Sequence, residues 1–323
     1  MRKFLRPFAA SVALLASSPA AFADTYPSRP ITLTVPFAPG GSADANARPL
    51  AMYIGEALRQ PVVIQNRGGA GGSIGAAAVA AAKPDGYNLL LTLSSVSAIP
   101  ESQRMTGKKA DFELAQLMPI GLISAEPVIL IARADAPWKD AKELAAAARA
   151  QPLKISYGSS GNYGPTHLPM EMFAKEAGIS FLHVPFAGAA PAMVALIGGQ
   201  VDLSVAAMAT ALPQLRAGKV KALATWSAKR MPALPEVPAF RELGYDIEFT
   251  NWAGLFAPAG TPDAVVTTLR NALQKVAADP QFVSAMEKSG IPVTYMDTPQ
   301  FKSYWAVDVA RIGKVVKQIG PAN

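Results

Sequence analysis

The sequence predicts an α/β fold of two Rossmann-like lobes with a hinge and an interlobe cleft. Two observations predict it. Strand-to-helix units recur in two successive sets, and each set carries two glycine-rich turns where a strand hands over to a helix. A late strand and the C-terminal helices then return to the first set, so the chain crosses between lobes more than once, which permits hinge closure. The expected boundaries give residues 24–124 and 251–323 to the first lobe and residues 125–250 to the second.

The first unit is the clearest. Residues 31–36 (ITLTVP) are an apolar strand, Phe37-Ala38-Pro39-Gly40-Gly41 is a turn, and a helix opens at Ser42 or Asp44. The first N–H groups of a helix have no partner within it and carry the positive end of its dipole, so such a turn is a seat for an anion. Residues 61–65 (PVVIQ) form a second strand. A second glycine-rich turn follows, with Gly69, Ala70 and Gly71 at its centre, and then an alanine-rich helix over 73–83. The third strand, 87–92, ends in the hydroxyl cluster Ser94, Ser95 and Ser97. Successive βα units argue for a parallel sheet, whose ligands sit at the carboxyl ends of the strands.

The second set repeats the pattern. Strands are expected at 117–122 and 128–132, and a helix opened by Pro137 and Trp138 runs to about Ala150. Residues 154–158 enter the third turn, Ser159-Ser160-Gly161-Asn162-Tyr163-Gly164-Pro165, before a helix carrying His167, Leu168, Met170 and Phe173. Residues 181–185 enter the fourth, around Gly188, Ala189 and Ala190, before a helix over 193–197. Further strands fall at 201–205 and 220–225, with a helix around 212–217 between them. Residues 247–250 read as a strand, and Asn251-Trp252 as the start of an irregular link. A long helix over 263–278 and two more, near 281–289 and 299–319, complete the chain.

Composition narrows the function classes. Of 323 residues, 50% are hydrophobic and 16% charged, which suits a well-packed globular protein. Residues 1–23 read as a secretory signal: basic Arg2, Lys3 and Arg6, an apolar stretch too short to span a bilayer, and small residues ending at Ala21-Phe22-Ala23. Cleavage after Ala23 and export are therefore expected. The chain has no cysteine, so it avoids oxidative pairing and offers no site for a lipid anchor. Without the three signal cations the formal +7 becomes +4, with Lys and Arg scattered. That pattern favours small anions and gives no footprint for nucleic acid.

Enzymatic readings find little support. Gly69, Gly71 and Gly75 approximate a dinucleotide fingerprint, but Ile74 stands where its third glycine belongs, and no acidic residue ends the next strand. Ser160 lies one residue out of register with a G-x-S-x-G elbow. A secreted hydrolase using Ser160 and His167 is the enzymatic alternative. His167, in the first turn of a helix, fits a structural or ligand-side hydrogen-bonding role better than a general base, and His183 fits a satisfied strand histidine. The two are 16 positions apart with no carboxylate cluster, so no metal site is expected, and no cofactor. Asp44 and Arg48, at i and i+4, read as a local ion pair, with contact between Asp44 and an amino or hydroxyl group of a ligand as the other reading. Phe37 and Trp252 fit either the cleft wall or the core.

The sequence resembles the Bug-type solute receptors of tripartite tricarboxylate transporters, exported type 2 periplasmic binding proteins. The matching segments are Tyr26-Pro27-Ser28-Arg29-Pro30-Ile31, Val35-Pro36-Phe37-Ala38-Pro39-Gly40-Gly41-Ser42-Ala43-Asp44, Gly69-Ala70-Gly71-Gly72 and Pro84-Asp85-Gly86-Tyr87. They continue in Tyr157-Gly158-Ser159-Ser160-Gly161, Val184-Pro185-Phe186, Gly188-Ala189-Ala190-Pro191-Ala192, Gly199-Gln200-Val201-Asp202 and Ala257-Pro258-Ala259-Gly260-Thr261-Pro262. They span essentially the whole chain after residue 23. The resemblance implies a non-catalytic receptor, exported to the periplasm, that closes on a small organic carboxylate and delivers it to membrane permease subunits. A monomer is the simplest expectation for a protein that must diffuse and dock. A ligand sensor for a signalling partner is the alternative on the same fold. By the same carry-over, Phe37 to Gly41 bind one carboxylate through backbone amides and waters. Gly69 to Gly72, Ser94 to Ser97, Ser159 to Asn162, Gly188 to Ala190 and Asp202 line the rest of the cleft. The chain departs from the family at Ser97-Ala98-Ile99-Pro100-Glu101, where a histidine and an Asn-Pro pair are common.

Overall fold

A computed structural model describes residues 26–321. The expected signal peptide, 1–23, lies outside the described residues. In chain order the elements are β1 (Ile31–Val35), α1 (Ser42–Leu58), β2 (Val62–Asn66), α2 (Ser73–Ala80), β3 (Asn88–Leu93), α3 (Ile99–Met105), β4 (Leu117–Pro127) and β5 (Ile129–Arg133). There follow α4 (Ala141–Ala150), β6 (Ser156–Ser159), α5 (Leu168–Ala177), β7 (Leu182–Pro185), α6 (Ala189–Ile197), β8 (Leu203–Ala206), α7 (Met208–Arg216) and β9 (Val220–Thr225). The chain closes with β10 (Thr250–Pro258), α8 (Asp263–Ala277), α9 (Pro280–Lys288), β11 (Val293–Met296) and α10 (Thr298–Ile319).

These strands form two sheets, a six-stranded one in the order β11-β4-β10-β3-β1-β2 and a five-stranded one in the order β7-β6-β8-β5-β9. Helices cover both faces of each, which is why the strands read as nearly continuous apolar runs. In the first lobe, Ile31, Leu33 and Val35 of β1 turn towards Leu50 of α1, Leu269 of α8 and Phe282 of α9. The opposite face packs on Ala76 and Val79 of α2 and on Phe301 and Trp305 of α10. In the second lobe, Leu144 of α4 and Phe173 of α5 cover one face, and Leu196 of α6 and Ala211 of α7 the other. Each large apolar side chain sealed this way contributes roughly 1.5–3 kcal/mol.

Three sequence expectations need correction. The first sheet is parallel only across β2, β1 and β3, because β10 and β4 run antiparallel to their neighbours. Asn251 and Trp252 do not begin an irregular link. They belong to β10, which pairs with β3 on one side and β4 on the other. All but the first residue of β10 are buried, so no alternation of apolar and polar residues marked it as a strand. The short β11 and α3 were not anticipated.

The chain passes from the first sheet to the second between β4 and β5 and returns between β9 and β10. Because β4 pairs with β10, with Glu126 opposite Asn251, the two crossing strands lie side by side. α10 bridges the lobes a third time. It begins against the first sheet through Phe301 and Trp305 and ends with Ile312 and Val316 in the core of the second. The Tyr163 hydroxyl donates to the Gly320 carbonyl (2.8 Å) and the Lys175 ammonium to that of Gln318 (3.0 Å).

Candidate functional site

The carboxyl ends of the strands in both lobes face one another, and their loops touch. The Ala38 N–H donates to the Ala187 carbonyl across the gap (3.3 Å). Behind this contact lies an enclosed cavity lined by Phe37, Gly41, Ser42 and Ala43 of the first turn, Ser160, Pro165 and Thr166 of the third, Ala189 of the fourth, and Leu93, Val128, Ala207 and Asn251. It holds about 330 Å³ of non-atom space, of which about 10 Å³ accepts the centre of a water molecule, room for about one. No charged side chain lines it.

What does line it is backbone at helix starts. α1 opens after Gly41, α6 after Gly188 and α7 after Ala207, and none of the three carries a side-chain cap. The Asp caps among the described helices, Asp140 on α4, Asp279 on α9 and Asp297 on α10, sit on helices that do not reach the cavity. The amides at the cavity are thus left for something other than the protein's own side chains, and helix dipoles make that site favourable for negative charge.

The expected site residues separate into groups. Phe37, Gly41, Ser42, Ser160 and Ala189 line the enclosed cavity, and Gly188 faces Ala38 where the lobes meet, so closely that a Cβ on Gly188 would lie 3.2 Å from the Ala38 nitrogen. Gly40 faces Ala190, and Pro39 and Gly40 are exposed at the rim. Gly69, Ala70, Gly71, Gly161 and Asn162 line a separate, wider opening between the lobes, with Gln103, Lys108 and Phe186.

Other expected residues support the walls. Ser94 Oγ donates to Asn251 Oδ1 (3.2 Å), one layer behind the cavity. Ser95 Oγ is buried without a partner. Ser97 Oγ points away from the cleft, donating to Asp308 (2.8 Å) and accepting from Trp305 Nε1 (3.2 Å). Asp202 stands at the amino end of β8, opposite the cleft end, where it accepts from Ser156 N–H and Oγ (2.9 and 2.8 Å). It is half-buried and braces the start of β6, since the Gly-Gln-Val-Asp segment precedes its strand instead of following it.

Asp44 is a brace for the first turn. It accepts from Gly40 N–H (2.9 Å), Arg48 Nε (2.8 Å) and Asn66 Nδ2 (3.3 Å), so the local ion pair read from the sequence is present. Burial alone would push its carboxyl up. The Gly40, Arg48 and Asn66 donors outweigh that and hold it below the ordinary carboxylate value. Trp252 is core, donating its indole N–H to Asp308 (3.1 Å), whereas Phe37 walls the cavity.

Buried His167 and half-buried His183 pair behind the third turn, their rings 4.3 Å apart. His167 Nδ1 accepts from Tyr163 N–H (3.0 Å), and His183 Nε2 bonds Ser159 Oγ (2.6 Å). Burial, with His183 alongside, pushes His167 down to about 3, and burial pushes His183 down to about 4. Both are neutral at pH 7. Ser160 Oγ accepts from Thr166 (3.0 Å) and His167 Nδ1 accepts from Tyr163 N–H, with no hydrogen bond from Ser160 Oγ to His167, so the Ser160–His167 dyad of the hydrolase alternative is not assembled. Sequence reading missed Asn251 and Thr166. The Asn251 amide between Ser42 (3.5 Å) and Ser94 links α1 to β3, a long-range network that no local pattern announces.

Two lobes hinged by paired strands, with uncapped helix starts converging on an interlobe cavity, define the class of two-lobed solute-binding proteins. The chain belongs to the tripartite tricarboxylate transporter receptor family, TctC, whose profile matches residues 46–321. It is 34% identical over 322 residues to a UPF0065 protein of Bordetella pertussis, covering 98% of this chain and 99% of that one. Its structure is similar to that of the periplasmic binding protein BugD, with a TM-score of 0.86 and 38% identity over 92% of this chain and 99% of that one. A second similar structure is MatC from Rhodopseudomonas palustris with bound malate, with a TM-score of 0.84 and 30% identity over 90% and 100% of the two chains. The resemblance to Bug-type receptors and the two-lobed periplasmic-binding-protein fold expected from the sequence both hold.

Proposed function

We propose that the protein is an exported, non-catalytic receptor of the periplasm whose lobes close on a small organic carboxylate and present it to the permease subunits of a tripartite transporter. The observation that carries this reading is the convergence of three uncapped helix starts, α1, α6 and α7, on a cavity without a charged side chain. Such a cavity suits an anion bound by amides and ordered water. It is too tight for a dicarboxylate to enter while Ala38 touches Ala187, so the lobes must part and close again, and a ligand that touches both favours the closed form. The malate bound by MatC is a small dicarboxylate of the kind proposed here.

A thermal-shift screen of residues 24–323 tests the reading. Di- and tricarboxylates should raise the midpoint and neutral amides and sugars should not, because a ligand that binds only the folded state stabilises it by mass action. Gly41→Val and Gly188→Val place a branched side chain at the amide seat and should abolish the shift. A shift with a neutral control alone, or one unaltered in both variants, overturns the assignment.

A further inference from the structure

Three carboxylates among the described residues are almost fully buried: Asp44, Glu126 and Asp308, at 2%, 2% and 3% exposure. Asp44 and Asp308 are each held by several donors, arginine included. Glu126 is not. Neither of its oxygens has a hydrogen-bond partner, and none of the ion pairs among the described residues involves it.

Its position gives this solitude a meaning. Glu126 is the next-to-last residue of β4, where the chain leaves the first lobe, and stands opposite Asn251 on β10, where the chain returns. Asn251 and Val128, two residues further on, line the interlobe cavity. From the second lobe, α7 directs the Met208 N–H, immediately after the lining residue Ala207, at the carboxyl without completing a hydrogen bond. On the same face of β4, α1 presents Ser42 and Asn46, engaged with Asn251 and Ser124. The charged residue of α1 closest in sequence, Asp44, is turned to Gly40, Arg48 and Asn66. Glu126 is therefore a first-lobe group roofed by a second-lobe helix. Parting the lobes withdraws α7 and admits water; bringing them together dries the carboxyl.

A lone carboxylate in a dry site is far costlier than a carboxylic acid there, so the group takes a proton instead of remaining charged. We propose that closure of the cleft on its carboxylate takes up one proton onto Glu126, so that the receptor carries its anion with H⁺ and releases both on opening. The proton comes from hydronium or buffer acid, adds to one Oε, and no other bond changes. The proposal rests on the receptor reading above and concerns the regulation of that same site. Burial, opposed weakly by the Met208 N–H, pushes Glu126 up to about 8 in the closed form. Rehydration on parting the lobes moves it back towards the ordinary carboxylate range. Between that range and the raised value closure binds a proton, so affinity falls about tenfold per pH unit as pH rises and levels off above about 8.

Calorimetry with malate at pH 7, in two buffers of different ionisation enthalpy, counts the protons. Wild type should take up nearly one proton per malate bound, and Glu126→Gln, a neutral isostere, nearly none, with its affinity flat between pH 6 and 8. Zero uptake by wild type, or equal uptake by E126Q, overturns the proposal. A ligand-independent arm separates its failure from that of the receptor reading. The chain has no cysteine, so A38C and A187C, at the touching loops, can be joined by a disulfide to lock the lobes closed. The locked protein should show at pH 7 the infrared carbonyl band of a protonated carboxyl group, missing from the locked E126Q variant. If malate and other carboxylates give no heat but this band is present, the receptor reading fails and Glu126 protonation stands. If the band is missing, the proposal falls whatever binds.

Discussion

A Cβ placed on Gly71 would lie 2.4 Å from the carbonyl oxygen of Asn162, so these two residues of opposite lobes approach as closely as a glycine backbone permits. Gly71 also holds φ at +65°, in the left-handed region. The contact lies in the wall of the wider interlobe opening lined by Gln103, Lys108 and Phe186.

Gly71→Ala should therefore keep both lobes folded while holding them apart. Carboxylate affinity is expected to drop about tenfold or more, the equivalent of at least ~1.4 kcal/mol, with a larger radius of gyration by small-angle scattering in saturating ligand. Wild-type affinity and radius would show that the Gly71–Asn162 contact plays no part in closure.

Asp44→Ala removes the acceptor that gathers Gly40 N–H, Arg48 and Asn66 around the first turn. A loss of about 1–3 kcal/mol in urea unfolding is expected, because Gly40 N–H, Arg48 and Asn66 lose their shared, buried, charged acceptor. Carboxylate affinity should fall as well, since the loop that positions the Gly41 and Ser42 amides is no longer braced. Weakened stability with unchanged affinity would confine Asp44 to a structural role.

Asp308→Ala should destabilise the anchorage of α10. Asp308 accepts from Ser97, the Trp252 indole and Arg311, and all but the last are buried. About 2–4 kcal/mol of unfolding free energy should be lost, as the stranded donors keep their desolvation penalty. Denaturation followed by tryptophan fluorescence measures it, and a change under about 1 kcal/mol would contradict the network.

Acid should weaken the second lobe through His167 and His183. Both are held neutral, below their ordinary value of 6.5. Their contribution is present above pH 6.5 and is lost as pH falls towards 4 for His183 and 3 for His167, because the unfolded chain binds protons that the folded one refuses. At pH 5 the loss is about 2 kcal/mol from His167 and less from the partly solvated His183. Urea melts at pH 7 and pH 5 on wild type and on His167→Asn/His183→Asn should show the difference shrinking in the variant. An equal pH effect in both places the sensitivity elsewhere.

How far the sequence reached can be seen element by element. β1, its turn and the opening of α1 at Ser42 follow from Phe37-Ala38-Pro39-Gly40-Gly41, because strand, turn and helix signals act within a few residues and need no partner. The same local chemistry marked the turns at Gly161 and Gly188, and with them two lobes and their family. β10 stayed hidden because a strand buried on both faces has no period of its own to display. Asp202 was drawn into the cleft by its motif, although a motif does not say at which end of a strand it falls. The sequence determined the uncapped helix starts at Gly41 and Gly188, since a glycine-rich strand-to-helix turn is a property of a short segment. Only the tertiary structure decided which of them meet, that Asn251 joins them, that Ser97 turns to Asp308, and that Glu126 is left alone between the lobes. Those depend on residues far apart in the chain being brought together by burial, which acts on the whole molecule and leaves no local trace.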